Sequence, residues 1–449
     1  MLSYKDLRVN FKRPFIWKKQ KENNKEIFRS YADLQKEEKE FVSYKGNVRK
    51  EVVDVIDKNL EASPTMPILS LRMADMFDHF SKSLIFDNDI DPVHLLKHSN
   101  KVTLNKKLQP WCKQLNANVP YIIEQGYGIV GLLNKFPQVP AFVCAAGPSL
   151  KNNMSELRKV GNKGIIIATD TAFRPLLEAG IVPHFVMAHD ANHNGAKFFL
   201  PRNYFPDTTL NDLNDKGLEM ACAALKNDKQ NILKDWNYKT VAIFVNYVSP
   251  LTIQSFCGDT ICFYSVWDDS LPVYMTMARA TNWKLEKEGQ YALHDKGAIL
   301  GGSSVGHTTC YLANALGCNP ISFLGLDLSY PEGKTYVDGA SNQKDLDKIK
   351  LVDVKDLSGR EVKTNVSMFS YKSVFEKMLP QLIVGRNLTL YNCTEHPDGN
   401  PAGILEEGAE PRRLSSVIDE YCKEEIPNIE KIKEMIQKDR EGQVKKNNE

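Results

Sequence analysis

From residue 139 onward, short apolar runs alternate with segments whose apolar residues recur at helical spacing. The runs "AFVCAAG", "GIIIATD", "HFVMAHD", "TVAIFVNY", "TICFYSVW" and "PISFLGLD" are each four to eight residues, β-branched or aromatic, and most close on Gly, Asp or Asn. Continuous runs of this kind, set between helical patterns, predict parallel strands with helices on both faces of the sheet. The expectation is an α/β, Rossmann-like domain with a mostly parallel sheet over residues 131–400. Several runs end in a polar residue, and strand C-termini are where open sheets place their ligands.

The flanks differ in texture. Residues 1–130 are rich in Lys, Glu and Asn, with helical spacing in "VRKEVVDVIDKNLEA" and "PILSLRMADMFDHF", and predict a mainly helical N-terminal region. The polar stretch 202–240 interrupts the strand rhythm and reads as an insertion or lid. Residues 401–449, with "LSSVIDEYCKEEI" and "NIEKIKEMIQKDREG", predict a C-terminal helical tail that frays at its charged end.

Charge adds no global field: 58 Lys and Arg face 56 Asp and Glu, so no nucleic-acid partner or membrane surface is expected. No apolar run approaches the ~20 residues of a membrane helix, and "MLSYKDLRVNFKRPF" lacks a signal-peptide core, so a cytoplasmic protein without a membrane span is expected. Nine scattered cysteines without a C-x-x-C pair read as reduced core thiols. His94 and His98, at i and i+4, could ligate a metal but fit a helix surface better.

Against that background the strand ends carry the candidate chemistry. After "FVCAA", Gly147 permits close backbone approach, Pro148 fixes the turn and Ser149 can cap the next helix, which makes an anion site or an ordinary βα turn. Asp170 and Thr171 close one strand; His189, Asp190 and Asn192 close the next. Asp170 could also cap its helix, and His189 with Asp190 favours hydrogen bonding over metal ligation, so no metal site is expected. In "GAILGGSSVGHTTC", Gly301, Gly302, Ser303 and Ser304 open a helix and offer a second phosphate site. His307, one turn in, could act as general acid or base, or only orient the loop. Asp327, Tyr330 and Tyr336 follow the last run, where tyrosine hydroxyls could stabilise departing phosphate oxygens or simply pack. Two anion sites on one sheet point to a nucleotide diphosphate or a phosphodiester-linked donor.

These segments, with "DLSGREVKTNVSMFSYKSVFEKML" and "LTLYNCTEHPDGNPAGILEEGAEPRRLSSVI", resemble the MptE-like family shared by bacterial motility accessory factors and archaeal 6-hydroxymethylpterin diphosphokinase. The likeness covers roughly residues 139 to 420. Part of it is also similar to bacterial sialyltransferases that use CMP-sialic acid. That likeness implies that the Gly147 to Leu150 turn and the 301–306 loop hold the nucleotide while Tyr330 and Tyr336 help the phosphate leave. With the strand-end residues added, the expected nucleotide-binding set is Gly147, Pro148, Ser149, Asp170, Thr171, Asp190, Gly301, Gly302, Ser303 and Ser304, and the expected catalytic set is Tyr330, Tyr336, His307 and Asp327. Two departures stand out. The sialyltransferases place a catalytic histidine after the tyrosines, whereas here none occurs between His307 and His396; and His396 falls where motility factors run Thr-Glu-Gly-Gly.

The favoured function is a glycosyltransferase moving a nonulosonic acid or related sugar from a CMP donor to a protein or glycan acceptor, with no cofactor required. The alternative is a diphosphokinase that moves pyrophosphate from ATP to a pterin alcohol and needs Mg²⁺ near Asp170, Asp190 or Asp327. A non-catalytic nucleotide-binding scaffold is a third possibility. Fold alone does not choose among them.

Overall fold

The computed structural model describes residues 16–22, 25–30, 114, 117, 118, 121, 128–200, 215–227, 240–256, 258–266, 298–300, 304–340, 345–428 and 430–438. Strands β1 (Ile16–Glu22) and β2 (Lys25–Ser30) form an antiparallel pair. The later strands are β3 (Ala141–Cys144), β4 (Ile165–Thr169), β5 (Phe185–Ala188), β6 (Val241–Val245), β7 (Asp259–Val266), β8 (Ala298–Leu300) and β9 (Ile321–Leu324). After them come β10 (Leu351–Lys355), β11 (Glu361–Asn365), β12 (Leu390–Asn392) and β13 (Glu410–Pro411). The helices are α1 (Leu150–Leu157), α2 (Asp170–Glu178), α3 (Asp215–Asn227), α4 (Pro250–Ser255), α5 (Val305–Ala315), α6 (Val366–Arg386) and α7 (Leu414–Tyr421).

Nine strands make one sheet in the order β13-β12-β9-β3-β4-β5-β6-β7-β8, and all its pairings are parallel. The chain enters at β3, winds outward to β8, and then returns through α5 to place β9 on the other side of β3. Right-handed crossovers put α1 and α2 on one face and the returning α5 on the other. The direction of winding therefore reverses between β3 and β9, the position at which open α/β sheets form their ligand crevice.

The six expected runs all become strands of this sheet. Every residue of β4 and β6 is buried, as continuous apolar runs require. Phe173, Phe199, Phe244 and Phe256 pack tilted or edge-on, with centroids 5.6 to 6.0 Å apart, and tie α2 and α4 to β6. Helix α5 ends where Gly317 takes φ +88°, and Cys318 N–H turns back to the Ala313 carbonyl at 3.1 Å. Cys144, Cys222, Cys310, Cys318, Cys393 and Cys422 are buried and unbridged.

Strands β8, β12 and β13 lie outside the expected set. With three, three and two residues they are too short to form a run, and neighbouring strands set their register. The β10–β11 hairpin is likewise half-exposed and polar. Because β13 joins the sheet, the sheet continues past residue 400, and Leu414, Val417, Ile432 and Ile436 of the tail belong to the same core. Of the 202–240 stretch, α3 is described; it packs on α4, with Ala221 and Cys222 buried. Most of 1–130, including His94 and His98, lies outside the described residues, and the described part contains the β1–β2 hairpin. Among the described residues no helix is long and apolar enough to cross a membrane.

Candidate functional site

At the switch point the ends of β3 and β9 continue side by side. Ala145 N–H donates to the Leu324 carbonyl and Gly147 N–H to the Gly325 carbonyl, each at 2.8 Å. A Cβ on Gly147 would lie 1.9 Å from Asp327 Oδ2 and 2.4 Å from the Gly325 oxygen. One on Gly325, whose φ is +63°, would lie 2.3 Å from the Ala145 oxygen. Both positions need glycine because two strand ends nearly touch.

That closeness brings Asp327 to the head of α1. Ser149 donates to Asp327 Oδ2 through its N–H at 3.1 Å and its hydroxyl at 2.9 Å. The expected cap is thereby corrected: the Ser149 side chain does not cap its own helix. A carboxylate 178 residues away takes that place, with its negative charge at the helix N-terminus. Asp327 is 2 % exposed, and burial pushes it up to about 6 against the opposing pull of the Ser149 bonds and His396. The turn Gly147-Pro148-Ser149 thus holds an internal anion.

A second neighbourhood forms at the ends of β4 and β5. Asp170 heads α2, and its Oδ1 accepts the Thr171 N–H at 2.7 Å and the Thr171 hydroxyl at 3.1 Å. Burial pushes Asp170 up to about 7, opposed by the Thr171 bonds, while the Asp190 charge adds to the rise. Asp190 Oδ1 accepts the Asn192 N–H at 2.9 Å. Tyr336 is raised to about 12 by burial first, then by the charges of Asp170, Tyr330 and Tyr371. Tyr371 is raised by burial and then by Asp190. Asp170, Asp190, Tyr330, Tyr336 and Tyr371 therefore share one electrostatic environment.

Tyr330 is oriented by Asn365. Its hydroxyl oxygen accepts the Asn365 amide N–H at 2.6 Å, while Asn365 Oδ1 accepts Met368 N–H at 2.8 Å and caps α6. With the oxygen engaged as an acceptor, the phenolic proton of Tyr330 is left to donate.

Ser304 heads α5; Gly301, Gly302 and Ser303 lie outside the described residues. His307 is wholly buried. Its Nδ1 faces the Ser304 N–H at 3.2 Å and hydroxyl at 2.7 Å, and its Nε2–H donates to the Tyr371 carbonyl at 3.1 Å. The ring stacks on Phe375 at 3.7 Å, and burial pushes its pKa down to about 3. Both nitrogens are committed, so this geometry corresponds to the orienting role: His307 ties the head of α5 to α6. His189 is built alike, with Nε2 2.8 Å from the Tyr247 hydroxyl and Nδ1 3.1 Å from that of Thr308, and burial lowers it to about 4. Among the described residues no group of three or more His, Cys, Asp or Glu is arranged to hold a metal ion.

Asn365 and Tyr371 were not singled out from the sequence. An asparagine before a helical apolar pattern is a legible cap signal, but nothing in the linear order links Asn365 to Tyr330. Tyr371 sits in an ordinary helical pattern, and only the packing of α6 over the strand ends brings it to the site.

Comparison with known proteins adds the following. Residues 113–248 match the family model described as 6-hydroxymethylpterin diphosphokinase MptE-like. Among solved structures, the chain is similar to the MAf glycosyltransferase from Magnetospirillum magneticum AMB-1, with 18% identity and a TM-score of 0.41 over 72% of this chain and 39% of that one. The chain thus spans well under half the length of that protein. No curated protein sequence matches it. That match takes in Gly147, Asp170 and Asp190 and supports, over 113–248, the MptE-like resemblance that the motifs led one to expect.

Proposed function

We propose that the protein is a nucleotide-dependent transferase, and specifically a glycosyltransferase that moves a nonulosonic acid or related sugar from a CMP donor. The observation that supports this reading is the convergence of Tyr330 and Tyr336 with Asp170 and Asp190 at one sheet edge. Tyr336 stays protonated well above neutral pH, and Tyr330 has its oxygen engaged by Asn365. Both phenols can therefore donate to phosphate oxygens as negative charge develops on the leaving group. Asp327 already fills the head of α1, and His307 Nδ1 faces the N–H and hydroxyl of Ser304, so a donor phosphate at the head of α5 would be held by the backbone N–H groups of its first turn rather than by Ser304. In a single inverting displacement the acceptor oxygen attacks the anomeric carbon, the bond to phosphate breaks, and CMP leaves with the electron pair. The acceptor proton passes to a base or to water.

A second reading is favoured by the description of the matching family: pyrophosphate transfer from ATP. Asp170 and Asp190, whose charges oppose one another, suit a Mg²⁺–nucleotide complex, since this ion is held by one or two carboxylates together with substrate phosphates. Mg²⁺ would there neutralise charge on the transferred group.

Calorimetric titration with CMP, CDP and ATP, each with and without Mg²⁺, separates the two. Metal-independent CMP binding is expected, with Tyr330→Phe and Tyr336→Phe each lowering turnover by about 10²-fold at unchanged melting temperature. Binding of ATP only with Mg²⁺ would transfer the assignment to the diphosphokinase. Silence from all three nucleotides would leave a scaffold.

A further inference from the structure

The β10–β11 hairpin stands outside the nine-stranded sheet, and its two edges differ. β11 is held by the body of the protein: the Lys363 carbonyl accepts the Tyr330 N–H at 2.7 Å, and the Thr364 hydroxyl donates to the Leu328 carbonyl at 2.8 Å. Val354 and Val362 pack against the core from the inner face. At the turn, His396 Nε2 lies 2.6 Å from Asp356 Oδ2, and Arg360 pairs with Asp398. Among the described residues no backbone group bonds to the other edge of β10.

Register fixes what that edge presents. Asp353 lies opposite Lys363, whose carbonyl is turned to Tyr330, and at the turn the Asp356 N–H donates to the Arg360 carbonyl at 2.9 Å. Opposed residues of an antiparallel pair alternate between bonding to each other and facing away. Leu351, Asp353 and Lys355 therefore send their N–H and C=O groups outward, along an edge about 17 Å long. The side chains alternate as well. Val352 and Val354 are half-buried on the inner face, whereas Asp353 and Lys355 are exposed on the outer one. Each of these two charges already opposes one of the other sign on β11: Asp353 faces Lys363, with the ions 3.6 Å apart, and Lys355 faces Glu361.

We propose that this edge pairs with a second copy of the chain, the two β10 strands running antiparallel about a two-fold axis at Val354. That register sets Asp353 opposite Lys355 of the partner subunit and Lys355 opposite the partner's Asp353, and the outward N–H and C=O groups of these residues bond to each other. Across the joined hairpins each outer row then alternates in sign: Lys363, Asp353, the partner's Lys355, the partner's Glu361. Val354 meets the partner's Val354 on the inner face. An axis at Asp353 would set that carboxylate against itself, and one at Val352 would match no charges, so opposite charges select the Val354 register. An edge lined with a single sign of charge would repel its own copy, whereas this one complements it. The hairpin is fixed along β11 and at its turn, so little ordering is lost on pairing. So short an edge makes a weak, concentration-dependent dimer. The inference does not depend on the reaction assigned to the tyrosines.

Sedimentation equilibrium of the full chain between about 5 and 500 µM tests it, with a dimer Kd of about 10–100 µM expected. Asp353→Lys sets Lys against Lys and Lys355→Asp sets Asp against Asp, so each variant alone should associate at least about tenfold more weakly. An equimolar mixture of the two variants restores opposite charges at both positions between chains and should dimerise with an affinity near that of the wild type. Each variant in the mixture still lacks its own pair across the hairpin, so recovery reports the contact between copies. A wild type that stays monomeric throughout overturns the proposal and leaves the charges as a guard against edge pairing. Single variants that associate like the wild type, or a mixture that stays monomeric, overturn it equally. Should either charge variant not fold, Asp353→Pro removes an outward N–H without touching a bond to β11, and dimers as strong as those of the wild type would then refute the interface.

Discussion

At the residue scale, the glycine and the aspartate at the switch point must be understood together. Gly147 was expected to leave room for a phosphate; the group that occupies this space is Asp327, 1.9 Å from where a Cβ would stand. Gly147→Ala should therefore lower unfolding free energy by about 1–3 kcal/mol in urea titrations, because a strand end cannot shift without breaking its pairing with β9. A stability equal to wild type would mean that the Asp327 carboxyl moves aside freely. The small residue was legible in the sequence, but its reason was not: Ser149 and Asp327 are 178 positions apart, and no local pattern joins them. His307 teaches the same lesson in reverse. Its place in the first turn of a helix was legible as either acid–base or orienting, and the stacking on Phe375 and the bond to Tyr371 emerge only when α6 packs on α5.

At the scale of elements, the site depends on one helix start. Asn365 caps α6 with Oδ1 and holds Tyr330 with its amide nitrogen. Asn365→Ala removes both bonds and should cost about 1 kcal/mol of stability in denaturant unfolding. Asn365→Asp keeps an oxygen for the Met368 N–H but replaces the donor to Tyr330 with an acceptor. It should therefore hold the melting temperature near wild type while turnover falls, and equal effects of the two variants would count against a role for Asn365 in orienting Tyr330. Strands were legible where four or more apolar residues run together, as in β4 and β6. The three-residue β8 and β12 were not, because such strands are defined by their neighbours' hydrogen bonds rather than by their own composition.

At the scale of the whole molecule, buried titratable groups set the pH response. Burial lowers His184 and His189 to about 4 and His307 to about 3, below the ~6.5 of an unfolded histidine. Their stabilising contribution is full above pH ~6.5 and is lost as the pH falls towards the folded values. Asp170 and Asp327 act oppositely: raised to about 7 and about 6, they favour the folded state at low pH and weaken it as the pH rises from ~4. Three rings against two carboxyls leave about one proton net, so stability should fall by roughly 1 kcal/mol per unit between pH 6 and 4.5. Asp170→Asn should steepen that slope in urea titrations at several pH values, whereas a flat profile would show that these groups are solvated. The sequence by itself determined the α/β class, the six principal strands and the candidate strand-end residues, because continuous apolar runs and helical spacing are local consequences of burying two faces or one stripe. Only the tertiary structure decided what those residues meet: that Asp327 rather than a ligand sits at the head of α1, that His307 is locked between two helices, and that His396 meets Asp356 at the turn between β10 and β11. These contacts join segments tens to hundreds of residues apart, and their partners are chosen by the order in which strands assemble around β3, which periodicity along the chain does not encode.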